Sequence, residues 1–220
     1  MRANRKGEKR FVNTLYRISY RRNRVGKSLV GRYLETLGAV RIDLDELYHE
    51  ILASDTLCRQ QLVTSFGVEI LSQGAIDRQA LAHKVFGDPY TLAELERITH
   101  PFVFCALKSR IQELCVCSKS SSSQRMIVVE VPLINKVSEV SYLADEILAL
   151  IAPLKARFRY AQVRGLSREQ MCARMRAQVG NSLLCHKSDT LILNAGSVSM
   201  LKQHVKAWYL SRMKRIGKGL

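Results

Sequence analysis

Residues 26–45 read GKSLVGRYLETLGAVRIDLD, and the order of features in that stretch decides the fold class. Leu29, Val30, Tyr33, Leu34 and Leu37 recur at helical spacing, so Lys27 to Leu37 is predicted to be a helix with one apolar face. Gly38 is placed to end it. Val40 to Ile42 then reads as a short strand running into Asp43-Leu44-Asp45, and on the upstream side Phe11 to Tyr20 reads as another. Strand, loop, helix, strand is the opening of a parallel α/β fold. Gly26-Lys27-Ser28 falls between the first strand and its helix, where backbone N–H groups and the helix dipole face an anion. The full phosphate-loop pattern G-x-x-x-x-G-K-[ST] wants its first glycine where this chain has Arg21, a residue that enters a left-handed conformation at far greater cost. From the residues alone, the tripeptide is open between a phosphate loop and a plain helix start with an exposed lysine. Asp43 and Asp45 are likewise open between site acids and a helix N-cap with first-turn charge.

Further along, helical patterns fill most of residues 46–117, and the serine-rich run 118–123 reads as a polar surface loop because a strand follows at once. That strand, Met126 to Val131, is closed by Pro132, and another, Glu146 to Ile151, meets Pro153. The segment to Gly165 sets Lys155, Arg157, Arg159 and Arg164 around an apolar stripe, and Ser167 with Gln170 forms a capping box for a helix through Gln178. Thr190 to Leu193 is the last strand, and the terminal helix places Val198, Leu201, Val205 and Trp208 on one face. Five strands separated by helices, without an internal repeat, predict one doubly wound sheet. A chain of 220 residues, 47% hydrophobic, suits a single such domain.

The net charge of +16 favours polyanionic partners without choosing among nucleotides, nucleic acid and anionic membranes. It is unevenly placed. Residues 1–28 hold ten Lys or Arg against one acid, Glu8, which is more than half of the excess. That arm lacks the apolar centre of a secretory signal, and cutting it as a transit peptide would endanger the first strand. No apolar run approaches the roughly 20 residues needed to span a bilayer, so a soluble protein with no membrane partner is expected. Six cysteines without a C-x-x-C pair suit idle thiols in a reducing cytoplasm rather than a zinc or redox site.

The succession of short motifs resembles the dephospho-CoA kinase family. It begins with Gly38-Ala39-Val40-Arg41-Ile42-Asp43-Leu44-Asp45, and continues through Phe66-Gly67, Ile76-Asp77-Arg78, Leu81, Val85-Phe86 and His100-Pro101. Val131-Pro132-Leu133, Gly165-Leu166-Ser167-Arg168-Glu169, Ala177-Gln178 and Ser188-Asp189 leading to Asn194-Ala195-Gly196 follow in the same order. The resemblance implies a P-loop NTPase-like three-layer fold: a five-stranded parallel sheet, a helical acceptor-binding insertion at 46–117 and a helical lid at 153–187. It would form one kinase domain over 11–220 behind a basic tail, 1–10. The implied reaction is ATP-dependent phosphorylation of the ribose 3′-hydroxyl of dephospho-CoA. Lys27 would reach the phosphates, Ser28 would ligate Mg²⁺, and the backbone of Arg24, Val25, Gly26, Lys27, Ser28 and Leu29 would cradle the nucleotide. Asp45 would orient or deprotonate the acceptor hydroxyl, and Asp43 would assist the metal's water shell. Arg159 and Arg164 are lid candidates, equally readable as a solvated helix face, and His100 reads as a buried structural histidine rather than a cofactor contact.

The chain also departs from that pattern. Arg21-Arg22-Asn23-Arg24-Val25 stands where the family has a glycine-rich loop, Lys136 where it usually has a glutamate, and Gly180 and Asn181 where a serine and an arginine are expected. A catalytically impaired relative that binds CoA or nucleotide is therefore the alternative to a working kinase, and a basic nucleic-acid-binding protein ranks behind both because no reading motif accompanies the charge. The mismatch is concentrated before Gly26, a distribution that a shifted reading frame or misassigned start would also give.

Overall fold

In the computed structural model, residues 15–20, 27–119, 125–131, 143–153, 186 and 188–217 are described. Strand β1 (Leu15–Tyr20) leads to helix α1 (Lys27–Thr36), strand β2 (Val40–Asp43) and helix α2 (Leu44–Ser54). Helix α3 (Thr56–Phe66), a 3-10 turn (Val68–Ile70) and the short strands β3 (Leu71–Ser72) and β4 (Ala75–Ile76) come next. Helices α4 (Arg78–Val85) and α5 (Pro89–Lys119), strands β5 (Ile127–Val131), β6 (Glu146–Ile151) and β7 (Thr190–Leu193), and helix α6 (Val198–Gly217) complete the described chain.

Strands β2, β5, β1, β6 and β7 lie side by side in that order, all parallel, with Asp43 opposite Glu130, Ile18 opposite Glu130, and Tyr20 opposite Leu150. All five residues of β5 are buried, as a parallel strand covered on both faces must be. Alternation along β5 divides the core. Met126 and Val128 face Val30 and Leu34 of α1 and Leu201, Val205 and Trp208 of α6, whereas Ile127, Val129 and Val131 face Leu44 of α2 and Val103, Leu107 and Ile111 of α5. Each such side chain contributes about 1.5–3 kcal/mol by leaving water, so the two faces fix the sheet between two helical layers.

Gly38 closes α1 as its position in the sequence predicts. Its φ of +100° is left-handed, and its N–H and that of Ala39 bond to the carbonyls of Glu35 and Leu34 at 2.9 and 3.0 Å. Of the four apolar residues expected to face inward from α6, Leu201, Val205 and Trp208 are buried but Val198, in its first turn, is 52% exposed.

The stretch 46–117 differs from its helical expectation in one respect. Between α3 and α4 it turns through the antiparallel β3–β4 hairpin, with Gln73 and Gly74 both at positive φ at its tip. Just before the hairpin, Lys84 of α4 bonds the Phe66 carbonyl at the end of α3 and the Glu69 carboxylate of the 3-10 turn. This region has its own core of Leu52, Cys58, Leu62, Phe66, Ile70, Leu81, Val85, Leu95 and Ile98. Ser118 and Lys119, expected in a loop, are the last residues of α5, and 120–124 fall outside the described residues. Among the described residues, no helix is long and apolar enough to cross a membrane.

Candidate functional site at the sheet edge

Because the strands are parallel, their C-terminal ends share one edge. The chain leaves β1 toward β2 on one side, and leaves β5 toward β6 on the other, so the adjacent strands β1 and β5 part in opposite directions. A crevice outside the carboxyl ends of such strands is where open α/β sheets bind ligands. Helix α1 begins here at Lys27, with Ser28 exposed in its first turn. The Lys27 side chain lies outside the described residues, as do Arg24, Val25 and Gly26, the tail 1–10, Lys136, Arg159, Arg164, Gly180 and Asn181.

The two acids at the junction of β2 and α2 have separate surroundings. Asp43 is the N-cap of α2, its Oδ1 accepting the Asp45 N–H at 2.9 Å, while Asp45 is exposed in the first turn. Asp43 Oδ2 also accepts a bond from Arg41 Nη2 at 2.5 Å. Arg41 reaches further: its Nη2 is 3.4 Å from Glu130 Oε2 and its Nε lies 3.1 Å from Glu130 Oε1. The Glu130 side chain is wholly buried, and those of Arg41 and Asp43 are 12% and 9% exposed. Burial by itself would lower the Arg41 pKa, but its bond to Glu130 and the charges of Glu130, Asp43 and Glu46 raise it above the ordinary value, so the guanidinium stays charged.

Helix α1 lies directly against this group. A methyl on Gly31 would come within 1.8 Å of Glu130 Oε1 and 2.9 Å of Arg41 Nε. Any larger residue there would force the buried Glu130 and Arg41 side chains to shift.

Neither Arg41 nor Glu130 is singled out by the sequence reading. The available signal is one acid inside the otherwise apolar run Ile127–Val131, flanked in the sheet by a strand carrying an arginine.

Other residues of the motif succession serve the scaffold. Asp77 caps α4, accepting the N–H groups of Gln79 and Ala80 at 2.8 and 3.2 Å. Phe66, Leu81 and Val85 are buried, Ser188 and Asn194 are buried polar residues, and Phe86 is 90% exposed. His100 is partly buried within α5, just before Pro101. His49, one turn along α2 from Asp45, bonds Arg78 Nη2 through Nε2 at 3.1 Å. Cys58, Cys105 and Cys115 are free thiols, and burial pushes that of Cys58 up to about 11, which leaves it unreactive at neutral pH.

The dephospho-CoA kinase family model matches residues 24–199. A dephospho-CoA kinase of Carboxydothermus hydrogenoformans is 34% identical over 182 residues, covering 82% of this chain and 85% of that protein. One from Protochlamydia amoebophila is 31% identical over 185 residues, with 84% and 89% covered. Among solved structures, protein TT1252 of Thermus thermophilus superposes with a TM-score of 0.70 at 29% identity, covering 90% of this chain and 97% of that one. The dephospho-CoA kinase of Campylobacter jejuni has the same fold, with a TM-score of 0.69 at 24% identity over 91% and 97% of the two chains.

Proposed function

We propose, from the premise that the chain belongs to the dephospho-CoA kinase family, that it transfers the γ-phosphoryl group of ATP to the 3′-hydroxyl of dephospho-CoA, giving CoA and ADP in the cytoplasm. The observation that carries this reading is the family match over residues 24–199, which spans both the start of α1 and the two acids at the junction of β2 and α2.

Phosphoryl transfer is mostly positioning and charge stabilisation. In this reading the backbone from Arg24 to Leu29 cradles the phosphates, and Lys27, first residue of α1, stabilises negative charge on the transferring group. Asp45 accepts the proton of the acceptor hydroxyl, for which its exposed place in the first turn of α2 suits it. The helical region 46–117, with its own core, holds the acceptor, and 153–187 supplies the lid, with Arg159 and Arg164 as its cations. The exposed Ser28 hydroxyl is a hard oxygen of the type Mg²⁺ takes alongside water and phosphate, and the Asp43 carboxylate, whose two oxygens already accept from Arg41 and Asp45, would reach the ion only through its water. Bound there through Ser28, with Asp43 ordering its water, Mg²⁺ would neutralise charge on the phosphates.

The arginines of 21–24 specifically favour a second reading, a relative that binds CoA or nucleotide without turnover, because side chains replace glycine where backbone must approach phosphate. One assay separates the two. Purified protein with Mg·ATP should convert dephospho-CoA to CoA, and Asp45→Asn should depress turnover more than ATP binding. No CoA above a no-enzyme control, together with calorimetric binding of ATP or CoA, would overturn the kinase reading in favour of the second.

A further inference from the structure

Arg41 links three elements that the proposed reaction uses for different tasks. On one side its guanidinium meets Glu130 of β5, the buried acid against which Gly31 of α1 is packed. On the other it bonds Asp43 Oδ2, and the second oxygen of that carboxylate holds the N–H of Asp45. A run of charge-assisted hydrogen bonds therefore leads from the floor beneath α1 to the backbone of the residue assigned to the acceptor hydroxyl.

We infer that Arg41 is a positioning residue: it locks the Asp43 carboxylate as the cap of α2 and so fixes Asp45 relative to α1, where the nucleotide phosphates are bound. A guanidinium suits this because its planar fork donates in several directions at once, which an ammonium on a flexible stem does not reproduce. Without it, Asp43 keeps its amide bond but loses the anchor on its other oxygen, and the first turn of α2 gains freedom where chemistry is sensitive to displacement. A misplacement of about 1 Å costs roughly a hundredfold in rate. The inference rests on the proposed kinase reading for its effect on turnover, and on geometry alone for its effect on α2.

Removing Arg41 by itself strands the buried Glu130 charge, so Arg41→Met is expected to lose stability whatever its role in the reaction. The deciding protein is the double variant Arg41→Met/Glu130→Gln, which also removes the Glu130 charge and should recover most of the stability that Arg41→Met loses, Asp43 keeping its bond from the Asp45 N–H. Two measurements are made on it: steady-state kinetics with ATP and dephospho-CoA, and amide hydrogen exchange at Asp45 by NMR. The expected result is a fall in kcat of about tenfold or more with KM for ATP changed less than about twofold, the signature of lost alignment rather than lost nucleotide binding. Asp45 exchange should accelerate over the same comparison. Unchanged exchange overturns the positioning role, and so does faster exchange with wild-type kcat. If the wild type itself makes no CoA, the kinase reading fails, and the exchange measurement still decides whether Arg41 holds the first turn of α2.

Discussion

One methyl group tests how tightly α1 is seated. Alanine in place of Gly31 gains about 1 kcal/mol of helix propensity. Against this stands a Cβ within 1.8 Å of Glu130 Oε1, on a side chain that is fully buried and tied to Arg41. Overpacking of that kind costs about 1–3 kcal/mol, so Gly31→Ala should be net destabilising, seen as a lower urea midpoint with an unchanged m-value. On the proposed reading Lys27 is the opposite case, a residue whose loss matters to rate and little to folding. Lys27→Ala would then remove a cation from the transferring phosphoryl, and loss of one such contact costs roughly 3–4 kcal/mol of barrier, two to three orders of magnitude in kcat. Melting should be near that of the wild type. Lys27 is legible in sequence because its neighbours Gly26 and Ser28 form a recognisable spacing. Gly31 and Glu130 are not, since their meeting depends on how closely a helix approaches a strand 99 residues away in the chain.

At the scale of elements, the motif Ile76-Asp77-Arg78 illustrates how a family signature can be a folding signal. Asp77 satisfies two of the free N–H groups at the start of α4, and Asp77→Ala should cost about 1 kcal/mol in a chemical melt. Asp43 caps α2 in the same way, so both readings of that acid, cap and site residue, are compatible in one side chain. Helix α1, β2 and β6 stand close to where periodicity predicts them, because their apolar faces are continuous and punctuated by glycine or proline. The β3–β4 hairpin was not legible. Its strands are two residues each, too short for alternation to register.

Across the whole molecule, the end of the sheet opposite the candidate site is held by a partly buried acid. Glu146, at the start of β6, accepts from Arg212 Nε and Nη2 at 2.6 and 2.9 Å, from Thr190 Oγ1 at 2.6 Å and from Trp208 Nε1 at 3.1 Å. Burial alone would raise the Glu146 carboxyl, but the bonds from Arg212, Thr190 and Trp208 hold it below the ordinary value. A carboxyl lowered in the folded state gives stability that is fully present above the unfolded value, about 4.3, and is lost as pH falls through the folded one. Thermal melts of the wild type should therefore weaken below about pH 4.3, while Glu146→Gln should melt lower at pH 7 and show a flatter acid limb. Parallel melting curves for the two proteins from pH 7 to 3 would count against this account.

The sequence by itself determined the α/β class, the helix after Gly26, the placement of the acids at the junction of β2 and α2 and the family, because periodicity, punctuation and short motifs are local and survive as ordered text. The tertiary structure alone decided how far each of those acids is exposed, how closely α1 meets Glu130 at Gly31, and that Arg41 stands between Asp43 and Glu130. These depend on strand order, since β5 inserts between β2 and β1 and brings Glu130 beside residues far earlier in the chain. Burial then strips water from the charges and leaves each with only the partner that the packing supplies.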